Sequence, residues 1–360
     1  MSTQYIGIMV DEAVYKGIKA GRTGYEEIDF YEEAGNHFGV TPCYFRFSDV
    51  EPDQNEISAY VKGSNGKYQI RTMPTPTVIH NRALQFSKNA KMKMDRLIKE
   101  GKLIYNSWNR FKKLDIHQVL MKQRALRKHL PETHKASEVT ILEMLQKHKK
   151  VIIKPNSGSL GNGLMKIETK GSKYELNLYS KKEKGRIFVL FEKEIPDILK
   201  KNLRATSYVV QEYIPLSEYE DNVYDLRVSC QKNEKGKWQV SGIVGKVANE
   251  GNFITNVAQG GNTYPLDMLL EDSLDLIQVT KAIKSFAKKA AKTIEKEYPG
   301  MADLGIDIGL TKDGFPMFIE CNGRDIRVTF RNAGMKETWK NTFFTPIGYG
   351  VSLLKTDNGE

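Results

Sequence analysis

The first third of the chain alternates short apolar runs with polar and glycine-containing connections. Tyr5–Val10 is an apolar run of strand length, and residues 26–38 predict a helix that stops at Gly39. Residues 42–47 and 77–80 predict further strands, the second of them after two prolines. This order of elements predicts a small α/β segment up to about residue 110.

The pattern changes in the middle of the chain. Residues 114–130 predict a basic helix that ends before Pro131. Short β-rich runs separated by glycine-containing loops then follow, at 151–154, 164–168, 186–191, 207–214, 224–230 and 238–247. Apolar residues recur at helical spacing from Leu276 to Ile294, two more strands come after Pro299-Gly300, and no structure is predicted from Arg331 onward.

Composition narrows the class of protein. The 360 residues are 40% hydrophobic and 28% charged, which suffices for two or three domains with cores. No run approaches the roughly 18 apolar residues that span a membrane, and no secretory signal pattern opens the chain. Its cysteines, Cys43, Cys230 and Cys321, are too scattered for a disulfide scaffold or zinc site. We therefore expect a cytoplasmic protein without a membrane partner.

The net charge of +11 is unevenly distributed. Residues 85–150 carry 17 lysines and arginines against 6 acids, so this segment accounts for the whole excess. Such a segment is compatible with nucleic acid, acidic substrates, phosphates or a solvated helical face. Because no interleaved aromatics and no nucleic-acid module accompany it, the sequence argues against a nucleic-acid partner.

The segment ADLGIDIGLTKDGFPMFIECNGR, residues 302–324, predicts a β-hairpin. Asp313-Gly314 lies between two apolar-rich runs and predicts a two-residue turn that pairs Lys312 with Phe315. Counting outward gives three opposed pairs: Gly309 with Phe318, Asp307 with Glu320, and Gly305 with Asn322. Alternation then puts Ile306, Ile308, Leu310, Met317 and Ile319 on one face, and Asp307, Glu320 and Asn322 on the other.

Two opposed carboxylates have Cβ atoms about 5 Å apart and repel each other, so positive charge is expected between Asp307 and Glu320. Their oxygens and the amide oxygen of Asn322 suit Mg²⁺, which usually shares its coordination shell with water and substrate phosphates. Pairing of the acids with lysine or arginine, or an exposed hairpin with chance acids, is the alternative.

The segment KPNSGSLGNGLMKI, residues 154–167, predicts a glycine-rich flap between two strands. Gly158, Gly161 and Gly163 allow backbone N–H groups to turn toward an anion. Ser157 and Ser159 add donors, and Lys154 supplies a point charge. The strand–loop–strand order and the glycine spacing argue against a P-loop and a Rossmann turn. A flexible loop without a ligand is the alternative.

Together these segments resemble the ATP-grasp superfamily over about residues 105–330. In that superfamily the ATP- and metal-binding residues follow one another in a fixed order along the chain. A lysine comes first, then a second lysine before a glycine loop, then a strand whose backbone binds adenine, and last an acid followed by the pattern acid-x-Asn. Here that order is Lys113, Lys154 with SGSLGNG, VVQEYI, and Asp307 with Glu320-Cys321-Asn322. The resemblance implies that Lys113 and Lys154 bind the phosphates of ATP, with Lys112 as an alternative to Lys113. It also implies Mg²⁺, or Mn²⁺, on Asp307, Glu320 and Asn322.

The adenine-reading strand of this superfamily corresponds to residues 208–215. Gln211 and Tyr213 match the positions whose backbone hydrogen-bonds adenine. The resemblance places Ile214 on the ring and Glu218 at the ribose hydroxyls, with Glu212 as the runner-up for a polar role. An ordinary buried strand with a surface acid remains the alternative.

YDLRV and GKVANEGNFITNVAQGG resemble the amino-acid ligases that add glutamate to protein tails. This resemblance implies catalytic positions for Arg227, Lys246 and Asn256, with the two cations balancing charge on the reacting phosphate. That family more often has arginine where Lys246 stands, and lysine lacks the planar fork of a guanidinium. Structural salt bridges are the alternative for both cations.

A closer resemblance, to the YheC/YheD family of endospore-coat-associated ATP-grasp proteins, rests on FKKLDIHQVL, LPET, IIKPNSGSLGNG, VQEYI, YDLRV, VGKVA and LGIDIGLTKDG. It implies an ATP-grasp fold of mixed α/β and α+β class. The expected parts are an N-terminal α/β pre-ATP-grasp domain (1–110), an ATP-grasp domain (111–330) and a tail (331–360). The ATP-grasp domain divides into a glycine-loop part, about 130–214, and a metal-site part, about 215–330.

The function implied by these resemblances is an ATP- and Mg²⁺-dependent carboxylate–amine ligase that forms an acyl phosphate. Its partners would be ATP and an unidentified carboxylate and amine, an amino acid or a peptide. The alternative is a catalytically idle ATP-binding or structural protein of spore-coat assembly, with coat proteins as partners.

The sequence leaves two alternative roles open for each of two further sets of residues. Arg324, Arg327 and Arg331 follow the hairpin and either meet an acidic substrate or form a solvated face. His80-Asn81-Arg82 either faces the cleft or caps a strand.

Overall fold

A computed structural model of the chain describes residues 4–85, 87–158, 161–180, 185–250, 255 and 260–357. Three six-stranded sheets follow one another along these residues. In the part of the chain that the structure describes, no helix is long and apolar enough to cross a membrane. The three cysteines are buried free thiols.

The first sheet has the order β4-β3-β2-β1-β5-β6. Its strands are β1 (Tyr5–Val10), β2 (Thr41–Arg46), β3 (Glu56–Lys62), β4 (Tyr68–Pro74), β5 (Val78–Asn81) and β6 (Leu103–Tyr105). The helices of this region are α1 (Glu12–Gly17), α2 (Ile28–Phe38) and α3 (Lys88–Lys99). Strands β2, β1, β5 and β6 are parallel, and α2 ends at Gly39 with φ of 72°, where glycine carries no Cβ penalty.

The second sheet is antiparallel, with the order β11-β10-β9-β8-β12-β7. Its strands are β7 (Thr133–Lys135), β8 (Lys150–Pro155), β9 (Met165–Lys170), β10 (Lys173–Ser180), β11 (Gly185–Phe191) and β12 (Tyr208–Glu212). Helices α4 (Lys113–Met121), α5 (Glu138–His148) and α6 (Asp197–Ala205) belong to the same stretch. Strand β10 was not predicted, although Tyr174, Leu176 and Leu178 alternate with polar residues at strand spacing.

The prediction of one basic helix over residues 114–130 is wrong about the length of that helix. Helix α4 ends at Met121, and residues 124–129 form a separate 3₁₀ helix. The break occurs because Gln123 adopts an extended backbone conformation, with φ of −93° and ψ of 107°. The turn after it brings Leu126 into the core, where that residue is fully buried.

The third sheet has the order β16-β15-β14-β17-β18, with β13 paired to β14. Its strands are β13 (Glu218–Tyr219), β14 (Asn222–Lys232), β15 (Trp238–Val247), β16 (Asn262–Tyr264), β17 (Asp303–Leu310) and β18 (Pro316–Asn322). Helix α7 (Leu276–Glu297) covers one face, where its apolar residues pack with the apolar residues of β14 and β17.

The hairpin of β17 and β18 confirms two of the three opposed pairs, Asp307 with Glu320 and Gly305 with Asn322. The predicted pairing of Gly309 with Phe318 is wrong, because a β-bulge shifts the register after Asp307 and the loop runs from Thr311 to Phe315. Phe318 therefore joins the core cluster beside Ile306, Ile308 and Leu310. Met317 lies outside that cluster, and Ile319 lines a cleft on the opposite face.

Helix α8 (Val328–Asn332) spans Arg331, and α9 (Lys336–Asp357) follows it in the tail, for which the sequence predicted no particular structure. Pro346, Gly348 and Gly350 lower the helix propensity of α9, but its apolar side chains pack against the first sheet. A Cβ atom at Gly348 would lie 2.9 Å from Phe38, and one at Gly350 would lie 2.9 Å from Ile6. These glycines therefore permit a close approach that stabilises the helix by packing.

Buried charges connect the first and third sheets. Arg82 contacts Glu26 at 2.6 Å and Asp303 at 3.3 Å, and its guanidinium donates to the backbone oxygen of Asp325 at 2.7 Å. Arg327, fully buried, contacts Asp303 as well. Burial lowers the pKa of His80, 3.3 Å from Asp303, to about 4, so this imidazole is neutral at pH 7. The boundaries expected at residues 110 and 330 remain a prediction.

We expect Phe343→Ala to destabilise the protein by about 3 kcal/mol or more, because removal of a buried aromatic ring leaves a cavity. The Phe343 ring is fully buried, with its centroid 5.0 Å from that of Tyr31 and 4.6 Å from the Arg327 guanidinium. Urea unfolding measures the difference. Ile70→Ala, on a side chain that is 52% exposed, is the control and should change stability little.

Candidate functional site

A cleft lies between the second and third sheets. Strands β8 and β12 supply one wall, and β14, β15, β17 and β18 supply the other. Its empty volume, counting the opening to solvent, is about 1050 Å³, which is large enough for a nucleotide-sized ligand. The cleft collects eleven of the predicted residues: Lys113, Lys154, Gly158, Gly161, Gln211, Glu212, Tyr213, Ile214, Lys246, Asp307 and Glu320.

Asp307 is the centre of the charged end of this cleft. Arg227 lies directly opposite it on β14, and the guanidinium donates to its carboxylate at 2.9 and 3.2 Å. Lys246 on β15 donates to the same carboxylate at 3.0 Å. Both cations predicted from the sequence therefore contact the predicted metal ligand, although Arg227 does not line the cleft itself.

Asp225 completes the group, and its importance was missed in the site predicted from the sequence. The ammonium of Lys246 lies 2.9 Å from this carboxylate, which also accepts a hydrogen bond of 2.6 Å from Thr255. Asp225 is recognisable from its parity with Arg227 in the YDLRV strand, but no local pattern identifies Thr255 as its partner.

The buried charged groups shift one another's pKa values. Although burial alone raises the pKa of Asp307, Arg227 and Lys246 hold it well below its usual range. Burial alone lowers the pKa of Lys246, but Asp225 and Asp307 raise it overall. Burial raises the pKa of Asp225, against the opposing effect of Lys246. At neutral pH, Asp307 is therefore ionised and both cations keep their charge.

Two more lysines approach the hairpin from the second sheet and helix α4. Lys113 lies 3.2 Å from the carboxylate of Glu320 and donates to the backbone oxygen of Gly158 at 3.1 Å. Lys154 donates to the backbone oxygen of Ile319 at 3.1 Å. Lys112, the alternative to Lys113, lines a neighbouring cavity instead.

The glycine loop between β8 and β9 is held at its base by Asn156, which the sequence prediction missed. The backbone and side-chain oxygens of Asn156 accept hydrogen bonds from the N–H groups of Lys113 and Leu114, at 2.9 and 3.0 Å. The start of α4 is therefore fixed to the loop, which puts Lys113 beside Gly158.

All three predicted loop glycines have positive φ, at 133° for Gly158, 69° for Gly161 and 73° for Gly163. Gly158 and Gly161 line the cleft, whereas a Cβ at Gly163 would lie 3.0 Å from Pro155 and from the Tyr208 hydroxyl. The role of Gly163 in the structure is thus to let the loop close on the strand below it.

The serines of the loop are less well supported as ligands of the cleft. Ser157 lines the neighbouring cavity together with Lys112. Ser159 and Asn256 lie outside the residues that the structure describes. For these three positions, the roles implied by the resemblance remain predictions.

The rest of the cleft lining is largely apolar, and we call this part of the cleft its apolar end. Ile152, Leu164, Leu216 and Ile319 line it together with the Gln211–Ile214 segment. The N–H group of Tyr213 donates to the Lys150 oxygen at 3.2 Å, and that of Glu212 donates to the Glu132 oxygen at 2.9 Å.

In this segment the backbone N–H of Ile214 is free, because it donates to no group among the described residues. The Gln211 amide donates to the Thr133 hydroxyl at 2.8 Å, and the Glu212 carboxylate accepts from the Glu132 N–H at 3.1 Å. Both side chains thus have structural partners. Glu218 is exposed at the start of β13 and does not line the cleft.

The residues predicted for a metal ion fit Mg²⁺ only with help from a ligand. Asp307 and Glu320 face each other, and the Asn322 amide nitrogen donates to the Asp307 carboxylate at 3.3 Å. Rotation of this amide by 180° would turn its oxygen toward the same carboxylates. Among described residues, no group of three or more acidic, histidine or cysteine side chains is placed to hold a metal. Two carboxylates and one amide leave room for water and phosphate oxygens, which is the usual magnesium shell.

The arginines after the hairpin have structural roles that the sequence left open. Arg327 is fully buried against Asp303, and Arg324 contacts Asp11 and donates to the backbone oxygen of Arg82 at 3.2 Å. Asp325 between them accepts hydrogen bonds from Arg227, at 3.0 Å, and from Ser229. Of the two alternatives left open, a solvated basic face does not hold for Arg327, because the junction between the first and third sheets buries this side chain.

We expect Lys154→Met to be more stable than the wild type at pH 7, by about 1–3 kcal/mol. Burial, aided by Lys113, lowers the pKa of Lys154 from 10.5 to about 8. The native state therefore disfavours the ammonium, a cost fully present below pH 8 and lost as the pH rises to 10.5. Urea unfolding at pH 7 and pH 10 should show the advantage of the variant shrinking.

Lys150→Met is the control for this measurement, because Lys150 is a partly exposed residue of the same strand. This variant should not show the gain in stability at pH 7 that is expected of Lys154→Met. A Lys154→Met protein less stable than the wild type at pH 7 would contradict the burial cost.

Known proteins resemble this chain in both sequence and fold. The family model described as YheC/D like ATP-grasp matches residues 101–353. The endospore coat-associated protein YheD of Bacillus subtilis (strain 168) is 24% identical over 315 residues, covering 86% of this chain and 68% of YheD. YheC of the same strain, also endospore coat-associated, is 24% identical over 295 residues, covering 80% and 81%.

Among solved structures, the VanG D-Ala:D-Ser ligase from Enterococcus faecalis has a TM-score of 0.51 and 11% identity, covering 97% of this chain and all of that one. At this identity the likeness concerns the fold alone. The match at residues 101–353 includes every residue of the cleft described above. The chain belongs to the YheC/D-like ATP-grasp family and has the ATP-grasp fold.

Proposed function

We propose that this protein is an ATP- and Mg²⁺-dependent carboxylate–amine ligase that works through an acyl phosphate. The observation that supports the proposal is the division of one cleft into an apolar end and a charged end. The charged end brings Lys113, Lys154 and Lys246 next to the opposed carboxylates of Asp307 and Glu320. This combination suits a ligand with a flat ring at one end and phosphates at the other.

The nucleotide base belongs at the apolar end. Ile152, Leu164, Leu216 and Ile319 can enclose a ring, and the free N–H of Ile214 can donate to a ring nitrogen. The Tyr213 N–H is already bonded to Lys150, so Ile214 is the better candidate for this contact.

The phosphates belong at the lysine end, beneath the glycine loop. The cations Lys113, Lys154, Lys246 and Arg227 outnumber the acids Asp225, Asp307 and Glu320 by one, so a divalent ion is needed to balance a triphosphate. Asp307, Glu320 and Asn322 would hold Mg²⁺, which supplies charge neutralisation between the phosphate oxygens. Lys113 would then exchange Glu320 for a phosphate oxygen, which is feasible because this ion pair is partly exposed.

The proposed reaction has two steps. A substrate carboxylate oxygen attacks the γ-phosphorus of ATP, the bond to the β-phosphate oxygen breaks, and ADP leaves. An amine then attacks the carbonyl carbon of the acyl phosphate, inorganic phosphate leaves with the bonding electrons, and the nitrogen loses a proton. The product is an amide.

The protein contributes mainly position and charge to this chemistry. Arg227 and Lys246 are held by Asp307 and Asp225, so their charges are fixed before any substrate arrives. The glycine loop, with φ values that only glycine adopts readily, would cover the phosphates and exclude water. Asn256 stays a predicted catalytic position.

The names of YheD and YheC favour a second candidate function. Both are endospore coat-associated proteins, so an idle ATP-binding or structural role in coat assembly is the competing proposal for this chain. The two proposals differ in turnover, because only the ligase releases ADP in the presence of a carboxylate and an amine.

Glu320→Gln should weaken Mg-ATP binding and abolish turnover, because it removes one of two opposed carboxylates. A ligand at 100 times its Kd stabilises a protein by about 2.7 kcal/mol. Thermal unfolding with and without Mg-ATP measures this gain, which should be present in the wild type and reduced in the variant. ADP release with a panel of amino acids and peptides measures turnover.

Glu271→Gln is the matched control, because Glu271 is an exposed acid outside the cleft. It should behave as the wild type in both assays. Wild-type stabilisation without ADP release for any substrate would favour the structural role. Absence of any Mg-ATP effect on the wild type would overturn the ligase proposal and the idle ATP-binding role, and would leave the structural role.

A further inference from the structure

A broad groove lies on the outer side of the third sheet, between helix α7 and the hairpin of β14 and β15. Lysines dominate its lining. On the helix they are Lys281, Lys284, Lys288, Lys289, Lys292 and Lys296, and on the hairpin they are Lys232 and Lys237. We call this surface the lysine groove. It lies outside the basic segment 85–150 and outside the nucleotide cleft.

The spacing of these lysines follows the helix. Val279, Ile283, Phe286, Ala290 and Ile294 form the buried face of α7. Lys281, Lys284, Lys288 and Lys292 lie on the exposed side at intervals of three and four residues, and so form one stripe about 17 Å long. Like charges at this spacing destabilise a helix by about 0.2–0.5 kcal/mol per pair, so the stripe does not serve helix stability.

The charge of the stripe is not balanced within the described structure. Glu295 is the acid that lines the lysine groove, and it already contacts Lys232 and accepts a hydrogen bond of 2.7 Å from the Trp238 indole. Among described residues, no carboxylate lies within ion-pair distance of Lys281, Lys284, Lys288 or Lys292. The groove therefore presents a row of ammonium groups that a partner can neutralise.

Three features decide which polyanion fits. Every cation of the groove is a lysine, which lacks the planar fork that binds phosphate or a base edge in two places. Its one lining aromatic, Trp238, is buried and already bonded, so no described ring is available to stack on bases. At one end, Leu276 is 41% exposed and Ile277 74% exposed, which suits apolar side chains.

An extended acidic polypeptide matches this surface in spacing. Alternate side chains of an extended chain lie about 6.8 Å apart on one side. The stripe lysines are separated by about 4.5 to 6 Å along the helix axis, from three or four residues of rise. The two spacings differ by about 1 to 2 Å per step, which the flexible four-carbon stem of lysine can cover. Carboxylates at every second position can thus each approach a lysine, with an apolar residue near Ile277 at the end of the row.

We propose that the lysine groove is a docking site for an extended acidic polypeptide segment of a partner protein. The α7 helix separates the groove from the nucleotide cleft, because its buried face packs on the sheet face opposite Asp307. Docking there is independent of the ligase proposal, and it holds whether or not the cleft turns over ATP.

The test uses the full chain and a fluorescent peptide of about fifteen residues that alternates glutamate with alanine. Fluorescence anisotropy at about 0.15 M salt, where screening beyond roughly 8 Å suppresses non-specific attraction, gives the affinity. We expect Lys281→Glu/Lys284→Glu/Lys288→Glu to weaken binding by about ten-fold or more. The milder Lys281→Gln/Lys284→Gln/Lys288→Gln should give a smaller loss, and it serves if charge reversal impairs folding.

The matched control is Lys88→Glu/Lys99→Glu/Lys336→Glu, which changes the net charge equally at exposed lysines outside the groove. It should stay within about two-fold of the wild type. Equal losses in both variants, or equal binding of a glutamine–alanine peptide, would overturn the proposal.

Single-stranded DNA of equal charge and vesicles containing phosphatidylserine distinguish the other polyanions. The proposal expects both to bind more weakly than the acidic peptide. Tighter binding of either one, lost in the groove variant, would show that the groove serves nucleic acid or a membrane surface, and the proposal would be wrong.

Discussion

The structure depends on a ladder of polar side chains between the two central strands of the third sheet. On β17, Asp303, Gly305 and Asp307 share one face, and on β14 they meet Gln231, Ser229 and Arg227 in register. The opposite faces of both strands are apolar and pack under α7. Because the ladder is buried, each of its charges needs a partner, and removing one partner of such a pair costs about 3–5 kcal/mol.

These partners come from distant parts of the chain, so the ladder joins them. Asp303 meets Arg82 of the first sheet and Arg327 from beyond β18. A Cβ atom at Gly305 would lie 2.5 Å from the Asp325 carboxylate, so only glycine leaves room for that side chain, which holds Arg227 and Ser229. The junction between sheets and the charged end of the cleft are therefore parts of one network.

The third sheet presents different chemistry on its two sides. Toward the cleft, Asp307, Lys246 and Arg227 are fixed by mutual contacts, which suits a site that must hold charge in place before its ligand binds. On the far side, α7 covers the apolar face and carries the lysine groove on its exposed surface. Because α7 is apolar on one face and basic on the other, it separates the proposed docking surface from the proposed reaction site.

Local patterns in the sequence determined the opposed acids and the glycine flap between two strands, because hairpin pairing and strand parity follow from neighbouring residues. Tertiary structure alone decided the rest. The bulge after Asp307 moved Ile319 to the cleft. Helix α9 forms despite Pro346, with packing against α2 and against the first and third sheets. The partners Asp325, Thr255 and Asn156 were not predictable, because contacts between residues far apart in sequence leave no local periodicity.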